Sequence, residues 1–255
     1  MGRLDGSVAV VTGGASGIGR ACALAIAREG ASVAVADIEE HGAQSVCEEI
    51  VSAGGVAIAV SCDVRDEAQV AGLFSLATTT FGEVTSLVTS AGIVSFEQTG
   101  DCDLEDWQRV IDVNLTGTFL CVKHALASMQ VAGSGSIVTI GSVSAVVAGN
   151  TDVGPGYKAA KGGVLQLTRL VAAQYGAKGI RANCLCPGPV DTGIIEAGQG
   201  SQENATTFAR LAQGVPMGRA GRPDEIAAVA LFLLSSESSY MTGSAVFADG
   251  GYTTV

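Results

Sequence analysis

Positive charge is scarce in this chain: 14 lysines and arginines stand against 25 aspartates and glutamates, a formal net charge of −11. Phosphate neutralisation supplies most of the affinity of a nucleic-acid binder, so an acidic chain without a basic stripe excludes that class. Histidine is nearly missing, with only His41 and His124, and no metal site is expected. The longest apolar run, Ile226 to Leu234, has nine residues, too few to cross a bilayer, so no membrane partner is expected. Met1 to Ser7 carries no apolar leader, and Gly6 stands where a myristoylation signal needs Ser or Thr. Aromatics make up 5% of the chain and there are five prolines, so collagen-like and proline-rich classes are excluded. The seven cysteines are odd in number and scattered through apolar segments. They read as reduced core thiols of a cytoplasmic protein, with Cys184 and Cys186 alternating on one strand.

What is abundant is small and apolar: 47% of the 255 residues are hydrophobic and 35 are glycine. Continuous Val/Ile/Leu/Ala runs mark strands buried on both faces at Val8–Thr12, Ser32–Asp37, Val56–Ser61, Ser86–Ser90, Ser136–Gly141, Arg181–Leu185 and Ser244–Ala248. Helical periodicity fills the gaps, over Ile18–Glu29, Glu39–Ala53, Glu67–Phe81, Leu104–Met129, Tyr157–Tyr175 and Pro223–Leu234. This alternation predicts an α/β fold: a doubly wound Rossmann-type parallel sheet of about seven strands, helices on both faces, in one domain spanning 1–255. The patternless stretch Asp191 to Val215, with a weak helix over Asn204–Ala212, is expected to hold a substrate lid near 193–215.

The first strand runs into Thr12-Gly13-Gly14-Ala15-Ser16-Gly17-Ile18-Gly19 and then a helix. Gly13, Gly17 and Gly19 allow a tight turn and close approach of backbone to ligand. The helix N-terminus offers unpaired N–H groups to a pyrophosphate. The spacing is G-x-x-x-G-x-G rather than G-x-G-x-x-G, so its place between first strand and first helix carries the reading. Asp37 closes the second strand 18 residues after Gly19, where an acid binds the ribose hydroxyls of NAD. Neither the turn nor Ile38-Glu39-Glu40 offers a base for a 2′-phosphate. NAD, not NADP, is therefore the expected cofactor.

Two of the four lysines lie in Tyr157-Lys158-Ala159-Ala160-Lys161. Tyr157 and Lys161, at i and i+4, share a helix face. A phenol is a poor base at neutral pH, and a neighbouring ammonium lowers its pKa. Alone, the pentapeptide reads equally as a solvated helix start.

In order along the chain stand the glycine turn, Asp37, Asn114 in Asp-Val-Asn-Leu-Thr-Gly, a serine after the fifth strand, Tyr157 with Lys161, Pro187-Gly188, Tyr240-Met-Thr-Gly243 and Asp249-Gly-Gly251. Together they resemble the short-chain dehydrogenase/reductase family over the whole chain. The resemblance implies hydride transfer between NAD and a secondary alcohol or ketone. Tyr157 would be the general acid/base, and Lys161 would lower its pKa and hold the nicotinamide ribose. Ser142 would bind the substrate oxygen, and Asn114 would hold a relay water. Ser16 and Ile18 belong to the phosphate turn. Asp63 and Val64 would meet adenine, Ala91 and Gly92 would line the cofactor, and Pro187, Gly188, Val190 and Thr192 would meet the nicotinamide end. A homotetramer is also implied.

Each residue has a plainer reading: Asn114 bonding a nearby carbonyl, Asp63 capping the third helix, Pro187-Gly188 ending a strand. Thr89-Ser90-Ala91-Gly92 departs from the family's Asn-Asn-Ala-Gly, which puts the local sheet bonds in doubt. Ser144 competes with Ser142. A spacing of 13 residues before the tyrosine selects Ser144, whereas the Ile137-Val-Thr-Ile-Gly-Ser142 pattern selects Ser142, and the pattern on a rigid strand is preferred. Val94–Phe96, Val143–Val147, Val153–Gly156, Pro187–Val190 and 193–215 are expected to line the pocket, with no Arg or Lys before Arg210. That favours a small neutral alcohol or ketone. The alternatives are an NADPH-dependent 3-oxoacyl-type reductase, which Asp37 disfavours, and a catalytically silent NAD-binding sensor or scaffold.

Overall fold

The seven expected strands form within a residue or two of their expected bounds in the computed structural model, which describes residues 2–148, 153–192 and 214–254. They are β1 Val8–Thr12, β2 Ser32–Asp37, β3 Val56–Ser61, β4 Ser86–Thr89, β5 Gly135–Ile140, β6 Ile180–Pro187 and β7 Ala245–Ala248. All pair in parallel, in the order β3-β2-β1-β4-β5-β6-β7. The chain winds outward in one direction from β1 to β3 and in the other from β4 to β7. The direction reverses between β1 and β4, and the crevice at their carboxyl ends is where such sheets bind ligands.

Helices α1 Gly17–Arg28, α2 Glu40–Ser52, α3 Glu67–Phe81, α4 Leu104–Ile111, α5 Gly117–Ala132, α6 Pro155–Tyr175 and α7 Pro223–Leu234 connect the strands. The strand pleat divides the core. Ala9, Val11, Val33, Val35 and Val138 pack with Cys22 and Ile26 of α1, Val46 of α2, and Ile226 and Leu233 of α7. Val8, Val10, Ala34, Leu87 and Ile137 pack on the opposite face with Leu73 of α3, Val122 and Leu126 of α5, and Val171 of α6. Side chains two apart share a face, so each strand contributes to both layers. β3 and β7 depart from the expected burial on both faces. They are the sheet edges and are only partly covered.

The single helix expected over Leu104–Met129 is interrupted. A π-helical turn, Asp112–Thr116, separates α4 from α5. Side chains take over backbone carbonyls there: Asn114 Nδ2 donates to Val110 O at 3.0 Å and Ile93 O at 2.9 Å, and Thr118 Oγ1 donates to Asn114 O at 2.8 Å. Such single turns recur at functional sites. α6 starts at Pro155, two residues before Tyr157, because proline presets the first helical turn and needs no N–H partner. Among the described residues no helix is long and apolar enough to cross a membrane. Most of the expected lid, 193–213, lies outside the described residues; Val215 at its end is buried.

Candidate active site

A cavity of about 700 Å³ opens at the carboxyl ends of the central strands and reaches from Asp37 to Tyr157. Its floor at one end is the glycine turn. Gly13 has φ 65°, and a Cβ there would stand 2.6 Å from Ala91 N, so the turn and the loop after β4 touch backbone to backbone. Gly13, Ser16, Gly17 and Ile18 line the cavity. Gly19 does not; a Cβ on it would meet Gly13 O at 2.0 Å, which makes it the glycine that lets the helix close onto the turn. Ser16 is the N-cap of α1 but its side chain caps nothing, and the first turn carries no acid. The orphan N–H groups and positive dipole end are thus left for an anionic ligand.

Asp37 is held by the backbone. Its Oδ2 accepts from Ala15 N and its Oδ1 from Glu39 N, each at 3.0 Å. Asp63 and Val64 also line the cavity. Asp63 does not cap α3; Asp66 does, accepting from Ala68 N and Gln69 N. Instead Asp63 grips Arg65: Arg65 Nη2 lies 2.6 Å from Oδ2, and Nε lies 2.9 and 3.0 Å from the two oxygens. That hydrogen-bonded pairing holds the Asp63 carboxyl below its usual pKa.

At the other end Ser142, Tyr157, Lys161 and Asn114 converge. Ser142 and Tyr157 both line the cavity, the Ser142 side chain acts on the Tyr157 phenol, and Ser142 Oγ accepts from Ser144 N at 3.1 Å. Ser144 lines the cavity too, but its backbone serves the Ser142 hydroxyl. Lys161 is buried, donates to Ile140 O at 2.8 Å and lies 5.5 Å from the centre of the Tyr157 ring. Loss of water brings the Lys161 ammonium down to about 8. Loss of water also raises the Tyr157 phenol, with the Ser142 side chain pulling against it. The lowered phenol that the Tyr–Lys spacing suggests is therefore not produced by the chain's own groups.

Asn114 is fully buried in the π turn. Its amide nitrogen makes the plain carbonyl bonds described above, while its Oδ1 has no partner. That oxygen lies 2.7 Å from where a Cβ on Gly92 would sit. A buried acceptor without a partner calls for a water or a ligand. Ala91, Gly92, Pro187, Gly188, Val190 and Thr192 all border the cavity. Gly188 packs so closely on Asp249 that a Cβ would come within 2.9 Å of it, and Thr192 packs against Gly17. The Thr89 and Thr12 hydroxyls are buried without partners; Thr89 stands where the resemblance leads one to expect asparagine, and Thr12 is the threonine of the glycine motif itself.

Of the expected pocket segments, Val94, Phe96, Val143, Ser144, Val153 and all of Pro187–Val190 reach the cavity, and 193–213 lies outside the described residues. The absence of basic residues does not hold. Arg109 of α4 lines the cavity, paired with Asp106, and so does Arg65. Arg109 precedes Val113, another lining residue, by one helical turn, so the periodicity of the helix could have found it. Tyr252 also lines the cavity; it follows the Asp249-Gly-Gly turn, and no local pattern marks it. Three carboxylate bonds fix that turn: Asp249 accepts from Gly251 N, Thr253 N and Thr253 Oγ1.

The glycine cradle, the acid at the end of β2 and the Ser–Tyr–Lys cluster on a parallel doubly wound sheet define an NAD(P)-binding oxidoreductase. Residues 13–253 match the family model described as enoyl-(acyl carrier protein) reductase. The chain is 40% identical over 254 residues to 2-(S)-hydroxypropyl-CoM dehydrogenase 3 of Xanthobacter autotrophicus, covering 99% of both chains. It is 44% identical over 250 residues to cis-4-hydroxycyclohexanecarboxylate dehydrogenase of Sinomonas cyclohexanicum, covering 97% of each. A solved short-chain type dehydrogenase/reductase from Mycobacterium marinum superposes with a TM-score of 0.93 at 37% identity, over 99% of this chain and 97% of that one. The chain belongs to the short-chain dehydrogenase/reductase family. It is an oxidoreductase of that family, working on alcohol- or ketone-like substrates with a nicotinamide cofactor.

Proposed function

We propose that this chain is an NAD-dependent dehydrogenase that interconverts a secondary alcohol and its ketone, with Tyr157 as general acid/base. The observation that carries this reading is the convergence of Ser142, Tyr157 and the buried Lys161 in the same cavity as Asp37. The uncapped start of α1 and the partnerless Asn114 Oδ1 fit a bound dinucleotide and its attendant water. NAD supplies the hydride acceptor; the chain positions the substrate and handles the proton.

Gly13, Ser16, Gly17 and Ile18 hold the pyrophosphate, and Gly19 keeps the turn closed. Asp37 holds the adenosine ribose, Asp63 and Val64 the adenine. Ala91, Gly92, Pro187, Gly188, Val190 and Thr192 border the nicotinamide half. Ser142 fixes the substrate oxygen, Tyr157 Oη exchanges its proton, and Lys161 and Asn114 support the relay behind it. Of the two relatives named above, one is named for a carboxylate-bearing alcohol, cis-4-hydroxycyclohexanecarboxylate, and the other for 2-(S)-hydroxypropyl-CoM. Arg109 on the cavity wall supports extending the substrate class from neutral alcohols to those with a negative group. The test is NADH production, with NAD and NADP side by side, across secondary alcohols that are neutral or carry a carboxylate or sulfonate. Turnover of none of them refutes the reading.

A further inference from the structure

Tyr252 is half-buried and is brought into the cavity by the tail of the chain; it has no part in the proton transfer assigned to Ser142, Tyr157 and Lys161. Its place is fixed from both sides. Asp249 accepts from Gly251 N at 2.9 Å and from Thr253 N and Oγ1 at 2.9 and 2.8 Å. The backbone before and after Tyr252 thus hangs on one carboxylate, and Tyr252 N donates to Asp249 O at 3.1 Å. Gly250 and Gly251 have φ of 62° and 90°, the left-handed region that lets the chain turn back there. The turn is seated on two neighbours. Gly188 N, at the end of β6, donates to Ala248 O at 3.2 Å, and Met217 N donates to Gly250 O at 3.1 Å. A Cβ on Gly251 would stand 3.0 Å from the Pro216 ring.

This seat lies at the Ser142 end of the cavity. β2 and β7 are five strand spacings apart in the sheet, about 24 Å. A residue that follows β7 and rests on the end of β6 therefore lines the cavity far from Asp37, which ends β2. Ser142 follows β5, the strand beside β6. The cavity wall there also holds the apolar Val143, Val153 and Pro189. Among the described residues no group bonds the Tyr252 hydroxyl. A phenol joins an apolar ring to a tip that both donates and accepts. We propose that Tyr252 is a substrate-binding residue that selects alcohols carrying a second oxygen. Its ring packs on the hydrocarbon, and its hydroxyl bonds the oxygen away from the reacting carbon. The inference rests on the reading of Ser142 and Tyr157 as the groups that take the reacting oxygen.

The experiment titrates cyclohexanol and the three isomeric cyclohexanediols by calorimetry into protein saturated with NADH, where no hydride can leave the alcohol. At least one diol should bind the wild type about 2- to 10-fold more tightly than cyclohexanol, the range of one neutral hydrogen bond. Tyr252→Phe keeps the ring; it should bring that diol to the level of cyclohexanol and leave cyclohexanol unchanged. Tyr252→Ala loses the ring as well and should weaken both alcohols. The NADH dissociation constant, read from nicotinamide fluorescence, should be unchanged in both variants. A role in packing alone would weaken diol and cyclohexanol alike in Tyr252→Phe. No diol preference in the wild type, a preference that survives in Tyr252→Phe, or an NADH affinity that falls along with the alcohols each overturn the proposal. If the wild type binds a diol but oxidises none of the alcohols with NAD, the proposed function fails, and the contrast between wild type and Tyr252→Phe still decides the role of Tyr252.

Discussion

Cofactor choice should follow from Asp37. A 2′-phosphate on the adenosine ribose would bring at least one negative charge to the carboxylate. At about 4 Å and an effective dielectric near 20, two unit charges repel by about 4 kcal/mol. Salt and the open mouth of the cavity reduce that figure, and about 2–4 kcal/mol corresponds to roughly 30- to 700-fold, taking 1.4 kcal/mol per tenfold. Among the described residues Arg65, Arg109 and Lys161 are the cations lining the cavity; Asp63 already takes Nε and Nη2 of Arg65, and Arg109 is paired with Asp106. Steady-state kcat/KM for NAD and NADP, measured with one alcohol, should favour NAD within that range. Asp37→Ser with Ile38→Arg should move the ratio toward NADP. The double variant will also lose some stability, since Ala15 N and Glu39 N lose the Asp37 carboxylate, and only the first of these bonds is partly shielded from water. Asp37→Asn keeps one acceptor oxygen and separates the two effects: its ratio should shift with a smaller fall in Tm. A wild type that uses NADP as well as NAD refutes the electrostatic argument.

Ser142→Ala should lower kcat by on the order of a hundredfold, as for loss of one positioned donor, while Ser144→Ala should be near normal because it is the Ser144 backbone that serves Ser142; the reverse pattern in initial rates would assign the role to Ser144. Leu104, Phe119, Val131, Leu170 and Phe247 are large, apolar and exposed on α4, α5, α6 and β7, so light scattering should give a homotetramer at micromolar concentration, and a stable monomer would refute it. Glu225 is brought down to about 2, first by its bond from Arg219 and then by Arg222 N. A depressed carboxyl adds stability above its unfolded pKa and loses it as pH falls toward the folded one. The Tm gap between wild type and Glu225→Gln should therefore be full at pH 7 and close between about 4.3 and about 2; a gap independent of pH would refute the pairing.

The periodic parts of the structure were legible because they are local. Val8–Thr12 alternates between two core layers whatever lies around it. The glycine turn was legible from its place between strand and helix. The π turn was not, because it depends on Asn114 reaching Ile93, 21 residues away in the chain. Arg65 was hidden for a related reason: Asp63 suggested an adenine contact, and nothing in the sequence says that a guanidinium two residues later saturates that carboxylate. Tyr252 reaches the cavity only because the Asp249 carboxylate folds the tail back. Cys184 and Cys186 were readable as one face of a strand, but not as packed against Val164 and Leu165, since that depends on how α6 lies over β6.

The Tyr157–Lys161 spacing shows most clearly where sequence reasoning stops. Four residues apart on a helix means a shared face, and a shared face suggested an ammonium lowering a phenol. Burial acts on both groups against that. It brings Lys161 down to about 8 and raises Tyr157. The ammonium is directed at Ile140 O and lies 5.5 Å from the ring centre, so the Ser142 side chain is left as the one group pulling the phenol down. From the chain's own groups, then, Tyr157 stays protonated throughout the neutral range. An ordinary phenol titrates near 10, and this one should titrate higher. Positive charge delivered into the cavity lowers it, and oxidised nicotinamide carries such a charge. Absorbance at 295 nm, taken as wild type minus Tyr157→Phe, should show no tyrosinate below about pH 10 in the cofactor-free protein. With saturating NAD the same difference should move to lower pH. Tyr157→Phe should bind NAD nearly as the wild type does and lose at least about a hundredfold in kcat, the lower end of what a positioned acid/base contributes. A tyrosinate already present near pH 8 without cofactor would show that Lys161 outweighs burial and refute the argument.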